Sequence, residues 1–191
     1  MIPAVNFHLW EPCNMRCQFC FATFQDVKKS ILPKGHLPKE QAIEVVSKLA
    51  LAGFEKITFA GGEPTLCNWL SELIYTAKSA GLTTMIVTNG TNLTDAFLEA
   101  NKNHLDWITL SIDSLVDETN LATGRAITGK KALSKEVYME LTDKIKQYGY
   151  GLKINTVVSS KNYDENMTDF YSICRSWPME NFSSITNCRT K

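Results

Sequence analysis

The chain has 191 residues, 44% hydrophobic and 21% charged, which is ordinary for a globular protein and enough for one domain with a real core. Its 20 basic residues balance its 20 acidic ones, so bulk charge gives no argument for binding nucleic acid or an anionic membrane. No apolar run nears the ~20 residues of a membrane helix, and no basic-then-apolar leader stands at Met1–Trp10. Of six cysteines, three are clustered and Cys67, Cys174 and Cys188 are scattered, which is no disulfide framework and suits a reducing compartment. The expectation is a cytoplasmic protein, monomeric and without an anchor preceding the fold.

In chain order, Ala4–Trp10 alternates apolar and polar residues as a strand does. Pro38–Ala52 follows as a helix, with Ile43, Val46, Leu49 and Ala50 on one face, Pro38 in its first turn and Gly53 at its end. Lys56–Ala60 is a strand, Asn68–Ala80 a helix and Thr83–Thr88 a strand. A short helix over Thr94–Asn101 has Thr94 as its N-cap. Trp107–Ile112 is a fourth strand, Asp113–Leu133 a long irregular loop, Ser134–Tyr148 a helix and Gly151–Val158 a fifth strand, with a last helix over Glu165–Arg175. This alternation predicts an α/β fold with parallel strands and right-handed crossovers, a partial barrel of five βα units rather than a closed ring of eight. Residues 1–175 form its core. Residues 176–191 read as neither strand nor helix, and disorder is expected there.

In such folds ligands bind at the carboxyl ends of the strands, and the notable residues fall there. Cys13, Cys17 and Cys20 follow the first strand in the pattern Cys-x3-Cys-x2-Cys. Three thiolates of one loop suit three irons of a four-iron cluster, leaving the fourth iron open. A zinc knuckle or three unrelated thiols are the alternatives, although His8 and His36 are poorly spaced for zinc. Phe19, Phe21 and Phe24 would shield a cluster or simply fill the core. Gly61, Gly62 and Glu63 end the second strand, where glycines allow close backbone approach and a carboxylate can accept from an ammonium group; an ordinary turn has the same composition. Thr88-Asn89-Gly90 is a turn signal. Ser111 ends the fourth strand and suits a ribose hydroxyl or a cap, while Asn155 inside the fifth needs a partner from ligand or backbone. Lys56, Arg125 and Lys153 would suit a polyphosphate if they converge, and are solvated surface charges if they do not.

The three-cysteine motif followed by Gly61-Gly62-Glu63-Pro64 resembles the radical S-adenosylmethionine superfamily. Asn6-Phe7-His8, Glu55 through Pro64, Ser111 through Ser114, Asn120 with Gly124-Arg125, Lys153-Ile154-Asn155 and Asn166-Met167-Thr168 are similar to the viperin family within it. The resemblance spans about Val5 to Asp169. It implies that Cys13, Cys17 and Cys20 ligate a [4Fe-4S] cluster, with S-adenosyl-L-methionine on the open iron. Gly62 and Glu63 would lie near its amino group, Gly61 would also bind the cofactor, and Ser111 and Asn155 would lie near its ribose or carboxylate. Asn6, Lys56, Arg125 and Lys153 would face a nucleoside triphosphate of the CTP type. A 5′-deoxyadenosyl radical would remove the ribose 4′ hydrogen, and loss of the 3′ hydroxyl would give a 3′-deoxy-3′,4′-didehydro nucleotide for antiviral defence. A flavodoxin- or ferredoxin-type protein would donate electrons. A radical enzyme for another substrate and an inactive cluster-binding fragment are the alternatives.

The chain departs from that family in two places. Ala60 replaces a serine that contacts the cofactor in animal relatives. The tail lacks the family's sixth strand, which carries Arg and Lys, and everything after it. An ATG codon for Met179 followed by GAR for Glu180 reads TGG, tryptophan, one base later, and the shifted frame admits a strand of the family's type. The chain is therefore read as frameshifted or ended early. The nucleotide sequence around Trp177–Met179 tests this: a shifted frame with no family-like continuation rules the idea out.

Overall fold

A computed structural model of the protein describes residues 3–20, 35–166, 168 and 170, and the backbone of 182–189. Strands β1 (Ala4–Trp10), β2 (Lys56–Gly61), β3 (Thr83–Thr88), β4 (Trp107–Ser111), β5 (Gly151–Val158) and β6 (Phe182–Arg189) form one sheet in chain order. Every neighbouring pair is parallel. Among the described residues the sheet is open between β1 and β6. The expected architecture holds: an open parallel α/β sheet of the partial-barrel kind.

The tail differs from expectation. The backbone of Phe182–Arg189 pairs with β5 from Leu152↔Phe182 to Val158↔Arg189, with a register shift between Lys153 and Asn155, so a sixth strand is present where the sequence predicts none. The physical reason lies in β5. Its far edge offers a row of unpaired backbone groups, and a following segment free of Gly and Pro satisfies them whatever its own pattern.

The helices are α1 (Lys39–Leu51), α2 (Leu70–Ser79), α3 (Asp95–Asn101), α4 (Asp117–Ala122) and α5 (Lys135–Gln147). Thr94 caps α3 as predicted, its hydroxyl accepting from the Phe97 N–H. Helix α4 lies inside the segment expected to be irregular. It has six residues, too few for an apolar period to show, and Asp117 and Glu118 occupy its first turn. The predicted helix over Glu165–Arg175 falls largely outside the described residues, as do Phe21 and Phe24.

Strand alternation sorts side chains to two faces. Ile57, Phe59, Ile86, Ile108, Leu110, Leu152 and Ile154 join one buried cluster with Val46 of α1, Leu73 and Ile74 of α2 and Tyr138 and Ile145 of α5. The intervening residues, among them Asn6, His8, Lys56, Ala60, Ser111, Lys153 and Asn155, point to the opposite, concave side. Helices thus seal one face and leave the other to ligands. No helix among the described residues is long and apolar enough to cross a membrane.

Candidate functional site

A cavity of about 180 Å³ lies at the carboxyl ends of the strands. Cys13, Cys17 and Cys20 line it together with Gly61 and Gly62 after β2, Ser111 at the end of β4 and Asn155 in β5. The structure therefore gathers three thiols and four of the five predicted cofactor residues at one place.

The cysteine loop is held rigidly. Met15 is buried beneath it. The N–H groups of Arg16 and Gln18 donate to the carbonyls of Gly124 and Thr123 at 3.1 and 2.9 Å, and the Thr128 N–H donates to Asn14 O at 2.8 Å. Gly124 has φ +76°, and a Cβ there would meet Arg16 O at 2.2 Å. Only glycine allows that approach.

Gly61 and Gly62 also have a cause that differs from the expected one. A Cβ on Gly61 would meet Trp10 O at 2.2 Å, and one on Gly62 would meet Glu11 O at 2.1 Å. The Gly62 N–H donates to Trp10 O at 2.5 Å and the Glu63 N–H to Pro12 O at 2.9 Å. The glycines let the second turn press against the chain entering the cysteine loop, while their backbone still lines the cavity.

Glu63 stands behind that wall rather than on it. It is fully buried. Oε1 accepts from the Thr65 N–H at 3.1 Å and from the hydroxyls of Thr65 and Thr88 at 2.6 and 2.7 Å, and Oε2 accepts from the Asn89 N–H at 2.7 Å. Burial pushes its pKa up against the opposing pull of these hydrogen bonds. Four donors from two turns make Glu63 a brace between β2 and β3.

Ser111 and Asn155 are register partners on β4 and β5. Asn155 Oδ1 is buried and accepts no hydrogen bond, an uncommon condition at a site that lines a cavity. Ala60 also lines the cavity, with a methyl group where a serine would offer a hydroxyl. Burial pushes the Cys17 thiol up to about 11, Arg125 pulling the other way, and raises Cys13 as well. A thiol in such surroundings needs a nearby positive charge to ionise.

The predicted cations separate. Arg125 is buried, lines the cavity and pairs through Nε with Asp113 Oδ2, with its guanidinium carbon 5.5 Å from the Phe19 ring centre. Asp113 Oδ1 in turn accepts from the Val157 N–H at 2.8 Å. Lys56 and Lys153 lie on the concave face away from the cysteines. Partial burial lowers the Lys56 pKa, and the charge of Lys153 lowers it further. Asn6 is exposed on the same face. Two cations thus lie within electrostatic reach of each other, and the third is buried in the cavity wall.

His36 stacks on Trp10 at 4.5 Å and its Nδ1 lies 2.8 Å from Leu37 O. Among the described residues no three His, Cys, Asp or Glu side chains converge on a point that would hold one metal ion. Sequence reasoning missed His8, which lines the cavity, and the parts played by Asn14 and Asn89. The signal available for Asn89 was its place directly after a parallel strand.

The family model of the Radical SAM superfamily matches residues 10–173. The chain belongs to this superfamily. A protein of Lacinutrix mariniflava named S-adenosylmethionine-dependent nucleotide dehydratase is 69% identical over 169 residues, covering 88% of this chain and 36% of that protein. A protein of the same name from Flammeovirga pacifica is 61% identical over 170 residues, covering 89% of this chain and 58% of that one. The chain thus spans between about a third and three fifths of the length of these relatives. Among solved structures, SuiB of Streptococcus suis aligns with a TM-score of 0.72 at 19% identity, over 100% of this chain and 40% of SuiB. The enzyme anSMEcpe with bound AdoMet aligns at 0.69 and 20% identity, over 97% of this chain and 51% of that one. These likenesses establish the fold.

The residues fit the cofactors that a Radical SAM protein uses. Three thiols from one clamped loop face a cavity whose far side carries glycine backbone and an amide oxygen without a donor.

Proposed function

We propose that this chain is the radical-generating part of a nucleotide dehydratase that converts a nucleoside triphosphate of the CTP type to its 3′-deoxy-3′,4′-didehydro form. The observation that carries the reading is the meeting of Cys13, Cys17, Cys20 and the unpartnered Asn155 amide oxygen on one cavity. The names of relatives 69% and 61% identical support the substrate class.

Cys13, Cys17 and Cys20 would ligate a [4Fe-4S] cluster, and Gly61, Gly62, Ser111 and Asn155 would hold S-adenosyl-L-methionine. Held there together, the two groups would supply hydrogen-atom abstraction chemistry. Asn155 Oδ1 would then gain the donor it lacks, from a cofactor hydroxyl or ammonium group. Lys56 and Lys153, set close despite their like charge, are relieved by an anion such as a triphosphate. Arg125, fixed by Asp113, would present its charge from the cavity wall. Overall the ribose loses its 4′ hydrogen and its 3′ hydroxyl, the latter leaving as water with one electron and one proton added. Such a product would terminate viral polymerase chains, an antiviral role. The electron source would be a flavodoxin- or ferredoxin-type protein, and the location cytoplasmic.

The test is anaerobic reconstitution, reduction and addition of S-adenosylmethionine, with 5′-deoxyadenosine measured with and without each nucleoside triphosphate. Stimulation by a nucleotide with a didehydro product is expected. Cleavage indifferent to every nucleotide would point to another substrate, and a bound cluster without cleavage to an inactive fragment. Cys17→Ala is expected to lose iron while keeping its fold by circular dichroism; unchanged iron sinks the cluster assignment.

A further inference from the structure

We propose that Asn89 is a positioning residue for Cys13, acting through a side-chain bridge to Asn14. This inference rests on the cluster reading above. Cys13 is pinned on both sides. Before it, Pro12 O accepts from the Glu63 N–H at 2.9 Å. After it, Asn14 Oδ1 accepts from Asn89 Nδ2 at 2.8 Å. Glu63 Oε2 accepts from the Asn89 N–H at 2.7 Å, so one buried residue reaches both anchors, the first through its backbone N–H and the second through its carboxylate. The circuit closes through Asn14 Nδ2, which donates to Thr91 Oγ1 at 2.8 Å.

The direction of the bridge follows from the backbone. Asn89 Oδ1 accepts from the Thr91 N–H at 3.0 Å, and a backbone N–H can only donate. The other end of the Asn89 amide, its Nδ2, therefore faces Asn14, which must present oxygen. Asn89 is buried, and its bridge joins residues 75 positions apart. A turn signal needs no such partner: the Thr88-Asn89-Gly90 turn has its own closure, with the Gly90 N–H donating to Thr88 Oγ1 at 3.0 Å. The Asn89 side chain is thus spent on the cysteine loop and on Thr91. It orients a ligand through the residue beside it, the relation by which partners outside a metal's own ligand set control affinity.

The test uses the full chain after anaerobic reconstitution, with iron drawn off by a chelator and its release timed. Asn89→Ala and Asn14→Ala are each expected to speed iron loss about 10–100-fold. The double variant is expected to be no faster than the faster single one, because both remove the same bond. Asn89→Asp removes the donor and is expected to behave like Asn89→Ala. Asn14→Asp keeps an acceptor and is expected to stay near wild type. Asn101→Ala is the control for stability alone. This buried residue donates to Phe97 O at 2.8 Å in the helical layer, and its loss lowers the melting temperature without changing iron release. Wild-type release in both alanine variants, with iron still lost from Cys17→Ala, overturns the bridge and leaves the cluster reading standing. Iron kept by Cys17→Ala overturns both.

Discussion

The two faces of the sheet are built from alternate residues of the same strands, yet they behave as different materials. On the helical face Ile57, Phe59, Ile86, Ile108 and Leu152 are wholly buried among apolar neighbours. On the concave face Lys56 and Lys153 repel each other, and Asn155 keeps a buried oxygen without a donor. The first face holds stabilisation, and the second holds unmet demands that a ligand can meet. Folding and binding are therefore separable by residue parity, and substitutions on the two faces should move stability in opposite directions.

The largest break in this contrast is expected on the helical face. Phe59→Ala should cost about 3–5 kcal/mol, read by urea unfolding. An intermediate effect is expected at the seam between the loops. Gly124→Ala adds a Cβ that would meet Arg16 O at 2.2 Å, and should cost about 1–3 kcal/mol and loosen the cysteine loop. Amide exchange at Arg16 and Gln18 would report that loosening; unaltered protection there would refute the clamp. The smallest effect has the opposite sign. Lys153→Met removes a charge that lowers the Lys56 pKa, and should raise stability by under ~1 kcal/mol at neutral pH. A lysine with a lowered folded pKa destabilises the fold while it is charged, so the gain should shrink as pH rises into the lysine range. The same variant should weaken nucleoside triphosphate binding in a calorimeter. A variant both less stable and equally good at binding would show that parity does not divide the two tasks.

Much of the framework was legible in the residues. Period-two runs gave β1 and β5 at the observed bounds, and apolar stripes ended by Gly53 and Gly81 gave α1 and α2 within a few residues. The cysteine spacing and the strand-end glycines located the cavity. Other features depend on partners distant in sequence. Nothing local distinguishes Glu63 as a buried brace from Glu63 as a ligand contact, because the donors from Thr88 and Asn89 lie 25 and 26 residues away. Gly61 and Gly62 looked like room for a ligand, while the atoms that forbid a side chain belong to Trp10 and Glu11. Strand β6 was invisible because a neighbouring edge, rather than its own alternation, specifies its pairing.

The clamp on the cysteine loop also sets an order of events. Gln18 Nε2 donates to Ala122 O across 104 residues of chain, and the backbone bonds to Thr123, Gly124 and Thr128 span similar distances. Contacts of such separation form late, after the intervening strands and helices have closed the loop between them. During synthesis the thiols leave the ribosome about a hundred residues ahead of the segment that gives them their final geometry. On the proposed cluster reading, iron delivered before residue 128 has emerged would meet a loop without its clamp, so insertion would follow the closing of these bonds.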